Sequence, residues 1–164
     1  MQRSRGGVVA PASPEEPVIH VEYAVPIRAT RRGAWRLLEA KITAPQRFLP
    51  RVVACEVTER RSDGVVRKVT FDDGVAVTER VTMIPEEEVV FRFVDHPKFE
   101  GEIRNVLFQA GDELWLAFYF RGEEKPGVEV GPEEFEQLRD GFARAVISAA
   151  RQIENGEAAA FERT

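Results

Sequence analysis

The chain has one cysteine and two histidines in 164 residues, and each scarcity removes a class of chemistry. A single thiol, Cys55, cannot close an intramolecular disulfide, which fits a reducing compartment. On the face it shares with Val53 and Val57 it reads as a small hydrophobe, with no histidine placed to activate it. His20 and His96 each lack a second ligand at metal spacing, and no paired-cysteine motif is present, so no metal site is expected. A phosphate-binding glycine loop and a nucleophile elbow are also missing, so nucleotide and hydrolase chemistry have no support and no cofactor is expected. Positive charge is in deficit, 23 Lys and Arg against 28 Asp and Glu, which argues against nucleic-acid binding. No apolar run approaches the ~20 residues of a membrane span, and Val8 to Ala10 is too short for a signal-peptide core. No membrane anchor is expected, and the cytoplasm is the default location.

What remains is 43% hydrophobic and 31% charged, enough for one domain with a sizeable core. Residues 1–17 carry Gly6, Gly7, Pro11, Pro14 and Pro17 with little apolar periodicity and read as a disordered leader. A domain over 18–155 follows, then a flexible tail over 156–164. Ile19, Val21, Tyr23, Val25 and Ile27 alternate as a strand, and Ala34 to Ile42 has helical spacing behind Thr30, a candidate cap. Six strands come next in quick succession, at Val52–Arg61, Val65–Phe71, Val75–Ile84, Glu88–Val94, Gly101–Ala110 and Glu113–Arg121. Hairpin-length separators such as Asp72-Asp73-Gly74 and Gly111-Asp112 make them an antiparallel meander. Phe135, Leu138, Phe142, Ala145, Val146, Ala149 and Ile153 then form one apolar stripe on a last helix, with Gly156 as its end. The expected fold is α+β, a seven-stranded antiparallel sheet curved around that helix, with a ligand cavity between them.

One hairpin breaks its own pattern. Val65, Val69, Phe71, Val75, Val77, Val81 and Met83 share an apolar face that also carries Arg67 and Glu79. A three-residue turn with Gly74 in the left-handed position puts Phe71 opposite Val75, Val69 opposite Val77, and Arg67 opposite Glu79. Charges on a face built for burial are costly to desolvate, so the pair marks a polar spot in an apolar interior. It reads either as a ligand contact or as a structural ion pair. Asn105, which falls opposite Phe118, reads as a ligand hydrogen bond or as a bond to backbone or to Tyr23. Arg28, Arg31, Arg32 and Arg36 crowd the start of the first helix, where the dipole disfavours them, and read as a solvated cluster or as guards of a cavity mouth. Phe108, Trp115 and Tyr119 share the other face of the last hairpin, a patch suited to a homodimer contact.

The element order, together with Glu22 to Ile27, Trp35, Leu37 and Leu38, Phe48-Leu49-Pro50, Cys55 to Val57, Arg67 to Phe71, Glu79 to Thr82 and Asn105, resembles the SRPBCC superfamily. This is the helix-grip group of START domains, the birch pollen allergen and aromatic polyketide cyclases, and the nearest likeness is to its AtaL-like branch. The resemblance implies a helix-grip fold and a cavity for an apolar or amphipathic small molecule, lipid-like or polyketide-like. It transfers no catalytic motif. The expected walls are Tyr23, Phe71, Val77, Val81, Phe91, Leu107, Phe118, Phe135, Leu138 and Phe142, with Arg67, Glu79 and Asn105 at the polar end. Two alternatives stay open: a cyclase or dehydratase with Glu79 as general base and Arg67 on an enolate, and a protein-interaction module without ligand.

Overall fold

The computed structural model describes residues 18–163, with side chains to Gly156, so the expected leader lies outside the described residues. The chain runs β1 (Ile19–Ile27), α1 (Arg31–Thr43), a short 3-10 turn at Pro45–Arg47, β2 (Val52–Arg61), β3 (Gly64–Phe71), β4 (Ala76–Ile84), β5 (Glu88–Asp95), β6 (Phe99–Ala110), β7 (Glu113–Glu124) and α2 (Pro132–Arg163). The seven strands form one antiparallel sheet in the order β1-β7-β6-β5-β4-β3-β2. Each tight hairpin keeps sequence neighbours adjacent, and β1 closes the far edge against β7.

The register follows the turn chemistry. Gly74 takes φ +87° between Asp73 and Val75, and the Phe71 amide donates to Val75 at 2.8 Å. Arg67 therefore pairs with Glu79 and Val69 with Val77, while Asn105 pairs with Phe118 on the last hairpin. Gly101 faces Gly122 in the ladder, and a Cβ on Gly101 would sit 2.3 Å from the Arg121 carbonyl oxygen. Two glycines let the backbones meet there with no side chain between them.

Two expectations are corrected. Val53 does not share the buried face of Cys55: a bulge between Val52 and Ala54 turns Val53 outward, where it is 58% exposed. The last helix also passes Gly156 and runs to Arg163. One glycine inside a helix costs about 1 kcal/mol relative to alanine, too little to end it when strong helix formers such as Glu157 to Ala160 follow.

Thr30 caps α1, accepting from the Gly33 amide at 3.0 Å. The arginine crowding there is relieved in part by Arg31, which donates to the Glu86 carbonyl at 2.7 Å and to that of Leu107 at 3.3 Å, latching the helix to the β4–β5 turn. The core lies between the inner sheet face and the two helices: Val81, Val89, Phe91, Leu107, Leu116 and Phe118 pack against Leu38, Ile42, Val146, Ala149 and Ile153. A second cluster joins Val21, Phe99 and Phe120 to Phe135, Leu138 and Phe142 of α2.

Candidate functional site

Arg67 and Glu79 are 6% and 8% exposed, so the charged pair is buried as its face required. Arg67 Nε and Nη2 both reach Glu79 Oε1 at 2.9 Å. Its remaining terminal nitrogen, Nη1, donates to the carbonyls of Lys41 at 2.9 Å and Ile42 at 2.8 Å. Those carbonyls belong to the last turn of α1, which leaves them without intrahelical partners and carries the negative end of the helix dipole. Arg67 is thus a long-range cap that fastens α1 to β3. The guanidinium also lies over the Phe91 ring, 4.9 Å from its centroid.

That fastening fixes a residue which sequence reasoning missed. Lys41 is 8% exposed, and its ammonium sits 4.6 Å over the Phe118 ring. Burial, then the Arg67 charge, pull its pKa down to about 8 against the opposing pull of Glu79. Its signal was present in the helical period: Lys41 falls three after Leu38 and one before Ile42, on the buried stripe of α1. Asn105, 3% exposed, is the cross-strand neighbour of Phe118. Neither side chain has a hydrogen-bond partner among the described residues. Trp115 Nε1 is the one side-chain polar atom among them that is sealed from solvent and unpaired, so the Lys41 and Asn105 groups keep contact with solvent space.

A cleft of about 860 Å³ opens beside Lys41, between α2 and the segment Phe48 to Val52. Phe48, Leu49, Pro50, Val52, Phe71, Leu138, Phe142, Ala145 and Ala149 give it apolar walls. Of the expected wall residues, Phe71, Leu138 and Phe142 line this space. Val81, Phe91, Leu107 and Phe118 are packed core, Val77 is buried on β4, Tyr23 is half-buried against the core, and Phe135 belongs to the second cluster. Arg67 and Glu79 lie behind Lys41 and do not line the cleft. Two smaller clefts, of about 660 and 550 Å³, open on either side of Arg31 and are lined mainly by polar and charged groups.

The comparisons with known proteins bear on the family and the fold. A family profile described as acetylaranotin biosynthesis cluster protein L, AtaL, matches residues 22–155. The chain belongs to the AtaL family. No curated protein matches the sequence. Among solved structures, a START superfamily protein from Mycobacterium smegmatis has a TM-score of 0.68 at 16% identity, covering 83% of this chain and 97% of that one. The Zhui aromatase/cyclase from Streptomyces sp. R1128 has a TM-score of 0.67 at 16% identity, covering 84% and 92%. Ara h 8.0201 has a TM-score of 0.63 at 12% identity, covering 83% and 97%. At these identities the likeness is one of fold: the AtaL chain has the START-like helix-grip architecture.

The other candidate residues of this AtaL-family chain are occupied structurally. Cys55 points its thiol toward the Ile42 carbonyl at 3.9 Å, and burial raises its pKa. His96 Nδ1 accepts from the amides of Lys98 at 3.0 Å and Phe99 at 3.1 Å, folding the β5–β6 loop on itself. Phe108 and Trp115 stack on the outer sheet face with ring centroids 6.1 Å apart. Among the described residues no helix is long and apolar enough to cross a membrane.

Proposed function

We propose that the protein binds an apolar or amphipathic small molecule in the cleft between α2 and Phe48 to Val52. The observation that carries this reading is the cleft itself: about 860 Å³, apolar walls, and a polar group reaching it from a buried position. That volume falls in the range of sites that hold drug-sized ligands, and few convergent polar groups on apolar walls is their usual composition. Membership of the AtaL family and the fold of the Zhui aromatase/cyclase support a ligand cavity without naming its occupant.

The cyclase or dehydratase alternative has less support. Arg67 is engaged by Glu79 and by two helix carbonyls, so an enolate would have to displace bonds that hold α1 in place. Arg67 and Glu79 support the binding reading indirectly, by fixing the helix end that carries Lys41.

An uncharged fluorescent dye that brightens in apolar surroundings tests the proposal. The parent should bind it and release it to fatty or aromatic amphiphiles. Ala145→Trp, on the α2 wall, should cut dye affinity at least about tenfold by filling the cleft while leaving the melting curve cooperative. Undiminished affinity in that folded variant would count against the cleft. Substitutions at Val81 or Leu107, natural first choices from sequence, do not serve, because those side chains are 1% and 3% exposed in packed core and a Trp there would overpack it.

A second reading, pairing of two copies through Phe108, Trp115 and Tyr119, is favoured by the stacked rings on the outer sheet face. Sedimentation of the parent and of Trp115→Ala at matched concentration tests it, and a monomeric parent would end it.

A further inference from the structure

We propose that Lys41 is the head-group anchor of the cleft and that the ligand is an amphipathic monocarboxylate, its apolar body against Phe48, Leu138 and Phe142. The inference rests on the binding reading above and adds the chemical class of the ligand. Its ground is a charge imbalance. The cleft lining holds Lys41, Arg51 and Arg144 and no Asp or Glu. Arg51 is neutralised by Asp72 at 3.0 Å and Asp73 at 3.3 Å. Behind the lining, the one buried carboxylate, Glu79, gives a single oxygen to both Arg67 bonds. Among the described residues the buried interior therefore carries two cations and one anion, and of those two cations Lys41 is the one without an ion pair.

An uncompensated buried ammonium is expensive, and the Phe118 ring face offsets only part of that cost. A ligand carboxylate would supply the missing charge where the protein supplies none. Arg144 is also without an ion pair among the described residues, but it is exposed and solvated, so the buried deficit is one unit on one ammonium, which fits a monoanion better than a dianionic phosphate. Arg67 is a positioning residue here: by holding the Lys41 and Ile42 carbonyls it sets where the amine emerges, and its charge keeps Glu79 from neutralising Lys41. The charged groups facing Lys41 are Arg67 from β3, Glu79 from β4 and Arg144 across the cleft on α2, with Cys55 of β2 at the neighbouring carbonyl.

Displacement of bound N-phenyl-1-naphthylamine, an uncharged dye, by dodecanoate and by dodecan-1-ol separates the parts. At pH 7 the parent should release dye at about ten- to hundredfold lower concentration of dodecanoate than of dodecanol, the effect of one charge-assisted contact. Lys41→Met should bring the two concentrations together, chiefly by raising that of dodecanoate, and Lys41→Arg should keep the preference. In the unmodified protein the preference should fade as pH rises from 7 to 9.5 while dodecanol binding holds steady, and Lys41→Arg should abolish that fading. Equal displacement by both amphiphiles in the parent, or a preference that survives in folded Lys41→Met, overturns the anchor and leaves the cleft standing. Failure of the dye and of both amphiphiles to bind overturns the binding reading and the anchor with it.

Discussion

Removing Arg67 should be far more damaging than removing Glu79, although the two form one ion pair. Arg67→Met strands a buried carboxylate, a loss of about 3–5 kcal/mol, and also leaves the Lys41 and Ile42 carbonyls without a donor, at about 1 kcal/mol or more each. The sum, about 5–7 kcal/mol, is comparable to the whole stability of many domains. Glu79→Leu strands Arg67, but the guanidinium keeps its two carbonyl acceptors, so the loss should stay near 2–3 kcal/mol. Considered as an isolated pair, Arg67→Met with Glu79→Leu would regain the parent's stability. The carbonyls change that outcome, and the double variant should remain about 2 kcal/mol below the parent, close to Glu79→Leu alone. Urea unfolding of the four proteins with a common slope measures all of this. Where Arg67→Met has no folded population, Arg67→Lys serves instead, with an intermediate loss, since an ammonium cannot fork between a carboxylate and two carbonyls. A double variant as stable as the parent, or equal losses from the two single changes, would refute the capping role.

Other outcomes follow from the same structure. Lys41→Met should stabilise the ligand-free protein by about 2–3 kcal/mol at pH 7, because a lysine whose pKa falls from 10.5 to about 8 on folding opposes stability below pH 8 and ceases to above 10.5. Thermal melts across that window should show the parent gaining on the variant as pH rises. His96, held near pKa 4 first by burial and then by Lys125 and Lys98, binds fewer protons folded than unfolded between about pH 4 and 6.5, so its contribution is complete above 6.5 and lost on acidification. Water at the half-exposed ring limits that loss to roughly 1 kcal/mol, and His96→Gln should flatten the parent's pH dependence in a melting series. Gly101→Ala should cost about 2 kcal/mol or more, since its Cβ would meet backbone at 2.3 Å and its φ is +147°, and an unchanged melting temperature would contradict the close approach. Deleting residues 135–164 should bare the inner face of the sheet and yield insoluble protein; a soluble, cooperatively folding truncation would contradict the layer arrangement.

The fold was legible because its determinants are local. Period-two alternation, Asp72-Asp73-Gly74 and Gly111-Asp112 specify the hairpins and their registers, and the one long apolar stripe marks α2 as a cover for the sheet. The buried pair was legible for the same reason, since register alone puts Arg67 on Glu79. Its second role was not, because the Lys41 and Ile42 carbonyls lie 26 and 25 residues away, and no local pattern marks which side chain will cap a distant helix. The cleft was misplaced for a related reason. Inward-facing positions such as Val81 and Leu107 look the same in sequence whether they line space or fill it, and only the packing of α2 decides which. Lys41 is readable as a lysine on an apolar stripe, but long side chains at such positions usually extend to solvent, so the pattern alone does not mark it as buried.

The long helix is fastened unevenly. Val146, Ala149, Ala150 and Ile153 are buried, whereas no residue from Pro132 to Ala145 is more than partly so. The cleft lies along both stretches, with Leu138 and Phe142 on the loose one and Ala149 on the tight one. Local opening takes place where least apolar surface must be exposed, so the first half of α2 should lift away from the sheet far more often than the second. On the proposed binding reading, how tightly a guest is held and how quickly it departs are governed by different turns of one helix. Amide exchange along α2 should fall steeply near Ala145, and substitutions before that point should alter residence time more than equilibrium occupancy.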